Sequence, residues 1–317
     1  MEQPADTTTT AFGLDIGSAA PLSFLSSASA TPTGRALSLS VHLDEAARGQ
    51  WPKDGSSLIC DEISPDGSVN FRIESHPDAG YLIAGPEYGA HLLSPDGRRL
   101  SCFPEGQPEG AWQRLLVAQA LPFAALLHGL EVFHASAVVR ERQAVAFLGP
   151  SRSGKTSLAL ALCARGASFL ADDVLALETR AGKLFANPGS PLAGVAREQR
   201  SDGADDGLSR EQVVAENVRE RMVRIEGAAE AVPLGTLFFV DRRADGPESP
   251  TFESTTDAQL LLAATFNFVL ATPERLQRLL EVCALAARLR VETVTAGPAT
   301  SAPELADAIE RRLSSPP

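Results

Sequence analysis

Apolar and polar residues alternate over short runs in the first third of the chain. Turn-forming residues separate the runs, and the tetrapeptide SPDG occurs at Ser64–Gly67 and again at Ser94–Gly97, with Pro in a tight turn and Gly at its corner. This alternation predicts short strands joined by hairpins, so we expect a small antiparallel β-rich module over residues 13–110. The polar, Thr-rich residues 1–12 before it are expected to form a disordered tail.

The apolar spacing becomes helical at residues 111–129, where a tryptophan and several leucines recur on one face. Two predicted strands follow, at 132–139 and 144–149, and the polar turn between them indicates an antiparallel hairpin. An Ala- and Leu-rich helix then begins at Lys155 and ends before Gly166, a residue type common just after helix C-termini.

Strand and helix signals alternate in the rest of the chain. A Gly-, Asp- and Ser-rich segment at 200–216 is expected to be a mobile loop. We predict strands at 234–240 and 291–294 and helices at 258–270, 273–289 and 303–313. This alternation is typical of α/β folds, so we assign residues 111–317 to one α/β domain.

Charge and cysteine content narrow the functional classes. The 317 residues carry a formal net charge of -12 with a sequence pI of about 5.0, so nucleic acids and anionic membranes are not expected partners. The four cysteines lie far apart without a CxxC pair, which argues against a zinc site or a disulfide framework. Polar residues interrupt the most apolar long segment, 115–133, and the N-terminus lacks the basic region of a signal peptide. We therefore expect a cytoplasmic protein without a membrane anchor.

A phosphate-binding motif follows the predicted hairpin. Gly149–Thr156 reads GPSRSGKT and fits the pattern GxxxxGK[ST], with a predicted strand before it and a predicted helix after it. Glycines let such a loop surround a phosphate, Lys155 can reach the β and γ oxygens of ATP, and the Thr156 hydroxyl can reach Mg²⁺. A chance glycine-rich turn is the alternative. The predicted nucleotide-binding residues are Gly149, Pro150, Ser151, Arg152, Ser153, Gly154, Lys155, Thr156 and Ser157.

Two adjacent carboxylates, Asp172 and Asp173, interrupt the next apolar segment, which we interpret as a strand. An ATPase needs one acidic residue to hold Mg²⁺, whereas transfer to a substrate hydroxyl also benefits from a carboxylate that accepts its proton. The pair therefore favours phosphoryl transfer. The alternative is that one aspartate binds Mg²⁺ and the other caps a turn or faces solvent.

His134 and several arginines are weaker candidates. A single His in a strand is more often structural than catalytic, unless the hairpin brings it beside the phosphate loop. Arg219, Arg221 and Arg224 can stabilise charge on the transferred phosphoryl group or can form a solvated basic face. Arg152 can contact phosphate or point outward.

The stretch from Phe133 to Val174, FHASAV…AFLGPSRSGKTSLALALCARGASFLADDV, resembles the catalytic domain of bacterial HPr kinase/phosphorylase. The resemblance implies an α/β phosphate-loop kinase core of the HPr kinase and phosphoenolpyruvate carboxykinase type. It also implies that Lys155 binds phosphate, that Thr156 and Asp172 hold Mg²⁺, and that Asp173 accepts the proton of the substrate hydroxyl, with Asp172 and His134 tuning it. Ser157 departs from the Glu of the bifunctional enzymes, and their downstream glycine-rich motif has no counterpart here.

The N-terminal module and the layout after Asp173 resemble stand-alone HPr-kinase-like proteins found beside peptide-biosynthesis genes, some of which phosphorylate a lasso-peptide precursor. This resemblance implies an ATP-dependent serine kinase acting on a peptide or small protein, with Arg221 as the catalytic arginine and a homo-oligomeric assembly. A kinase for a small metabolite bearing a hydroxyl is an alternative. A third reading is an ATP-sensing binding module or degenerate kinase that transfers nothing.

Overall fold

Two large β-sheets organise the fold, one within residues 7–103 and the other within residues 131–296. The computed structural model describes residues 7–25, 31–64, 67–197, 213–216, 220–266 and 272–315. The predicted loop 200–216, the predicted helix 258–270 and Arg219 therefore fall partly or wholly outside the described residues. Within those described, the chain is a mixed α/β protein, and no helix in them is long and apolar enough to cross a membrane.

The N-terminal sheet has eight described strands in the order β1-β2-β3-β8-β7-β6-β5-β4. Pairs β2–β3 and β3–β8 are parallel, so the module expected to be antiparallel is a mixed sheet. Long connections before β3 and between β3 and β8 let these strands return in the same direction, which a tight hairpin cannot do. The strands are β1 (Thr7–Ala11), β2 (Leu14–Ser18), β3 (Ala36–Val41), β4 (Ser57–Ile63), β5 (Val69–His76), β6 (Gly80–Gly85), β7 (Gly89–Leu93) and β8 (Arg99–Phe103), with a short helix α1 (Ala47–Gln50) before β4.

The expected disorder of residues 1–12 is wrong for Thr7–Ala11. These residues form β1, which pairs antiparallel with β2 across a tight turn. Threonine is β-branched and favours strands, and pairing with the buried β2 outweighs the polarity of the segment. Ser94–Gly97 is a turn as expected, because the Gly97 N–H donates to the Ser94 carbonyl at 2.9 Å.

The helical prediction for 111–129 is confirmed, although the helix is not uniform. It consists of α2 (Glu109–Leu115), a π-helical turn (Leu116–Ala120) and α3 (Leu121–Leu127). Pro122 cannot donate a backbone hydrogen bond, and the wider turn directly precedes it. The three segments pack on the N-terminal sheet in one apolar core.

The second sheet follows the order β12-β10-β11-β18-β14-β13-β9, with β20 also on β18 and β19 on β20. Strands β11, β18 and β20 run parallel at its centre. Helices α4 and α7 cover one face and α6 covers the other, so the central strands are apolar on both sides. The elements are β9 (Glu131–Phe133), β10 (Ala135–Arg140), β11 (Gln143–Leu148), α4 (Lys155–Cys163), β12 (Ser168–Ala171), β13 (Leu175–Arg180), β14 (Lys183–Asn187), β18 (Val232–Arg242), β19 (Thr251–Ser254), α5 (Ala258–Ala263), α6 (Pro273–Ala286), β20 (Arg290–Ala296) and α7 (Ala302–Leu313). A small third sheet contains β15 (Leu192–Ala196), β17 (Glu220–Arg224) and β16 (Val213–Glu216).

Two strands expected to be continuous are broken at chemically important residues. The strand predicted at 132–139 is interrupted at His134, so that β9 pairs with β13 whereas β10 pairs with β11. The hairpin of β10 and β11 itself is antiparallel, as predicted. Asp172 and Asp173 lie in the bend between β12 and β13, not inside a strand. Each break lets neighbouring segments join different strands of the same sheet.

Burial of His91 on β7 makes stability depend on pH. Burial lowers the pKa of His91 to about 4, although its Nε2 contacts the Trp112 carbonyl at 3.2 Å. An unfolded chain binds this proton near pH 6.5, whereas the folded chain does not, so the contribution of His91 to the free energy of unfolding falls as pH drops from about 6.5 toward 4, by about 3 kcal/mol at most. Urea denaturation across this range should show a smaller decrease for His91→Gln than for wild type. His42→Gln is the control, and an unchanged slope in His91→Gln would contradict the assignment.

Candidate active site

The predicted phosphate loop connects β11 to α4, so the strand and the helix that its motif requires are both present. Gly149 has φ 142°, and a Cβ there would lie 2.5 Å from the Val240 carbonyl oxygen. Gly154 precedes α4 with φ 88°. These two positions exclude side chains for steric and conformational reasons, which keeps the backbone of the loop accessible at the N-terminus of α4.

Lys155 lies inside the loop. Its Nζ donates to the carbonyls of Gly149 and Pro150, both at 3.0 Å. Burial lowers the pKa of Lys155, whereas the charges of Asp173 and Asp172 raise it. Ser153 is also buried, and its hydroxyl has no hydrogen-bond partner among the residues the structure describes. The loop therefore encloses a cation and a hydroxyl donor, which suits a bound anion.

Asp172 joins the loop to two other elements. Its Oδ1 accepts hydrogen bonds from the Thr156 hydroxyl at 2.8 Å and the Ser136 hydroxyl at 2.5 Å, and its Oδ2 accepts one from the Gly194 N–H at 3.0 Å. Burial, followed by the neighbouring Asp173, raises the pKa of Asp172 to about 6, and the three donors partly oppose the rise. A fixed carboxylate in contact with the motif threonine is the arrangement expected of the Mg²⁺ site.

Asp173 occupies a constrained backbone position. Its φ is 61°, and the Val174 N–H donates to the Asp172 carbonyl at 2.7 Å, so Asp173 is the central residue of a three-residue γ-turn. Such strained turns are concentrated at functional sites. Surrounding protein atoms desolvate the Asp173 carboxyl, which raises its pKa, and the charges of Lys155 and Arg114 oppose this rise.

His134 lies beside Asp173, as a catalytic role requires. Its Nδ1 is 3.0 Å from the Asp173 carbonyl oxygen, which can only accept, so Nδ1 carries a proton. The Nε2 of the neutral ring is then an acceptor. Burial lowers the pKa of His134, and the charge of Lys155 lowers it further. The structure thus brings together His134, Lys155, Thr156 and the two aspartates.

The arginine nearest in its effect to Asp173 is not one of those that the sequence pattern suggested. Arg114 on α2 is the arginine whose charge acts on Asp173, and it forms an ion pair with Glu220. Nothing in its local sequence indicates this role, because the fold brings α2 to the site from far along the chain. Arg221 lies on β17 opposite Val195, and its catalytic role stays a prediction. Arg224 donates to the Ser23 carbonyl and Arg152 is exposed.

Arg242 is a second basic residue that the sequence pattern did not single out. It ends β18, and its Nε would lie 3.5 Å from a Cβ built on Gly154 of the predicted phosphate loop. Its Nη1 donates to the Thr300 carbonyl at 2.6 Å, while the buried Nε has no partner within the described chain. Its position at the end of β18 could have identified it, because β18 is the parallel neighbour of β11 and ligands bind at the carboxyl ends of such strands.

We expect Arg242→Ala to lower the affinity for ATP by about 10- to 100-fold, the usual effect of losing one hydrogen bond to a charged group. Calorimetric titration with ATP and Mg²⁺ measures this loss, and adenosine affinity should change less. Arg243→Ala, which alters the adjacent exposed arginine paired with Asp241, is the matched control. Equal ATP affinity in both variants would contradict the contribution of Arg242.

A cavity of about 600 Å³ lies against the loop and the acidic pair. Gly149, Pro150 and Ser151 line one side, together with His134 and Asp173. The cavity can therefore hold a molecule next to both the first residues of the loop and the Asp173 carboxylate.

The residues present fit Mg²⁺ bound with a nucleotide. Mg²⁺ is usually held by one or two carboxylates and by phosphate oxygens, not by an all-protein cage. Thr156 and Asp172 supply a hydroxyl and a carboxylate in direct contact. The described residues contain no group of three or more His, Cys, Asp or Glu that could hold a metal ion.

Comparison with known proteins gives only distant similarity. No protein-family model matches the chain, and no curated protein matches it. The solved structure of the Hpr(Ser) kinase/phosphatase from Coxiella burnetii is similar at 13% sequence identity and a TM-score of 0.34, over 58% of this chain and 90% of that chain. A similarity this distant assigns no function to the chain.

Proposed function

We propose that this protein is an ATP-dependent kinase that transfers the γ-phosphoryl group of ATP to a serine hydroxyl of a peptide or small protein. The observation that carries the proposal is the cavity in which Asp173 and His134 lie directly beside the loop Gly149–Thr156. An ATPase needs the loop and one carboxylate. The second carboxylate, facing a cavity large enough for an organic acceptor, favours transfer to a hydroxyl over transfer to water.

The chemistry assigns a role to each residue. Asp173 accepts the proton as the acceptor oxygen forms its bond to the γ-phosphorus, and the bond from that phosphorus to the bridging oxygen breaks to release ADP. The raised pKa of Asp173 makes it a stronger base than an ordinary aspartate. His134 holds the Asp173 backbone through its Nδ1 proton.

On the donor side, Lys155 and the loop backbone bind the phosphates, and Thr156 and Asp172 would hold Mg²⁺. The metal, when bound, neutralises charge on the β and γ oxygens. Lasso-peptide precursors fall within the proposed acceptor class, and the sequence resemblance is the basis for naming them. That resemblance is also the basis for proposing a homo-oligomer.

Incubation of the protein with γ-labelled ATP and a cell extract tests this function. We expect label in the peptide and protein fraction, loss of labelling with a metal chelator and recovery with added Mg²⁺. Label recovered only in the small-molecule fraction as a phosphorylated metabolite would favour a metabolite kinase. Tight ATP binding without transfer to any acceptor would instead identify an ATP-sensing module.

A further inference from the structure

The N-terminal sheet forms a wall of the same cavity that holds His134 and Asp173. Cys60 and Glu62 of β4 and Phe71 of β5 line this wall. Glu62 is exposed, so the cavity reaches the protein surface there. Strand β4 is the last strand of the described sheet. The N-terminal module therefore contributes directly to the site at which an acceptor binds.

The described residues that line the cavity are mostly apolar, and none of them is basic. Phe71, Phe239 and Phe266 contribute aromatic surface, and Val174 contributes aliphatic surface. None of the described lining residues is Lys or Arg. A carboxylate or phosphate group on the acceptor would face Glu62 without a counter-charge, which is unfavourable in a partly buried site. The cavity thus favours an acceptor that carries an apolar group and no anionic group near its hydroxyl.

Gln119 supplies a polar contact within these apolar walls. It belongs to the π-helical turn Leu116–Ala120, and π-helical turns often occur at functional sites. Gln119 lines the cavity, and its Oε1 is buried and receives no hydrogen bond from the described part of the chain. Rotation about the last side-chain torsion, which has a broad two-fold preference, presents this oxygen to the cavity. A buried amide oxygen without a donor is costly, so a ligand N–H that reaches this oxygen would gain affinity. The peptide backbone offers such N–H groups at every residue except proline.

We propose that the cavity binds the serine of a peptide segment together with an apolar side chain next to it, with Gln119 accepting a hydrogen bond from a peptide N–H. The inference rests on the proposed kinase function and names its acceptor. Glu62 at the rim disfavours an acidic neighbour. The N-terminal sheet is then a specificity element of the kinase.

Synthetic peptides with blocked termini test this assignment. Each contains a single serine flanked by leucine, asparagine, lysine or aspartate, and the full-length protein is assayed with γ-labelled ATP. We expect kcat/KM to be at least about tenfold higher with a leucine neighbour than with an aspartate neighbour, because one buried apolar side chain contributes a factor of this size. For the leucine peptide, Gln119→Leu should raise KM by about 10-fold with a smaller change in kcat. Gln277→Leu on the exposed face of α6 is the matched control and should keep the wild-type KM.

Three outcomes would overturn the acceptor assignment. These are a preference for the aspartate peptide, an unchanged KM in Gln119→Leu, and labelling of small alcohols but of no peptide. Calorimetric ATP affinity is measured on Gln119→Leu as well, since a joint loss of ATP and peptide binding would mean that Gln119 supports the fold and does not contact the acceptor. Failure of the kinase function itself has a different signature, because the wild-type protein would then transfer label to no component of a cell extract.

Discussion

Asp173→Asn is expected to leave ATP affinity little changed and to slow phosphoryl transfer by about 10²–10⁴-fold, the usual contribution of a general base. Asparagine keeps the shape of the side chain but cannot accept the proton of the acceptor hydroxyl. Among the residues that the structure describes, no donor from the loop bonds to the Asp173 carboxylate, whereas Asp172 accepts three hydrogen bonds. The donor site should therefore survive the substitution at Asp173. Single-turnover transfer of labelled phosphate, with calorimetry for ATP, measures the two effects separately.

Asp172→Asn is the matched comparison for this experiment. An amide can accept through only one of its two terminal atoms, so at least one contact from Ser136, Thr156 or Gly194 is lost. We expect this variant to need more Mg²⁺ for transfer, in addition to any loss of rate. If Asp173→Asn keeps near-normal transfer while Asp172→Asn loses it, the two roles are exchanged. If neither substitution slows transfer, the protein is not a kinase of the proposed type.

The part of the site that could be predicted from sequence is local in the chain. The loop, its strand and its helix are contiguous, and the motif needs each residue type at a fixed spacing, so one segment carries the whole pattern. The hairpin places His134 one residue before β10, which pairs with the loop strand β11. Proximity of His134 to the loop therefore follows once the hairpin is recognised.

The remaining site residues depend on tertiary packing that no local pattern reports. Arg114 reaches Asp173 from α2, and Gly194 reaches Asp172 from β15. Phe71 lines the cavity because the N-terminal sheet packs on α2, the π-helical turn and α3, which in turn contact the second sheet. Pairing between strands far apart in the sequence depends on the tertiary fold. Alternation of apolar and polar residues therefore predicted strands but not the parallel β2–β3 and β3–β8 pairs.

The strand breaks at His134 and at Asp172–Asp173 could not be predicted from the local sequence either. Both segments are continuous apolar runs apart from these polar residues, and such a run predicts one uninterrupted strand. The fold divides each run between two partner strands, so the polar residues fall in the bends. In both segments the polar residues within an apolar run mark a bend, and at Asp173 the bend carries the conformational cost of a positive φ.

Lys155→Ala is expected to weaken ATP binding by at least about 100-fold, because it removes the ammonium group that the motif directs at the β and γ oxygens and with it charge-assisted hydrogen bonds of about 1.5–3 kcal/mol each. The Lys155 ammonium donates to the carbonyls of Gly149 and Pro150, so ATP binding exchanges these acceptors for phosphate oxygens. Calorimetric titration with ATP and Mg²⁺ measures the loss. Lys155→Met tests the charge alone, since it keeps an unbranched side chain in the buried position, and it should lose comparable affinity. Lys183→Ala, which removes an exposed lysine from β14, is the matched control and should bind ATP as the wild type does. Wild-type affinity in both Lys155 variants would remove the assignment of Gly149–Thr156 as a phosphate loop.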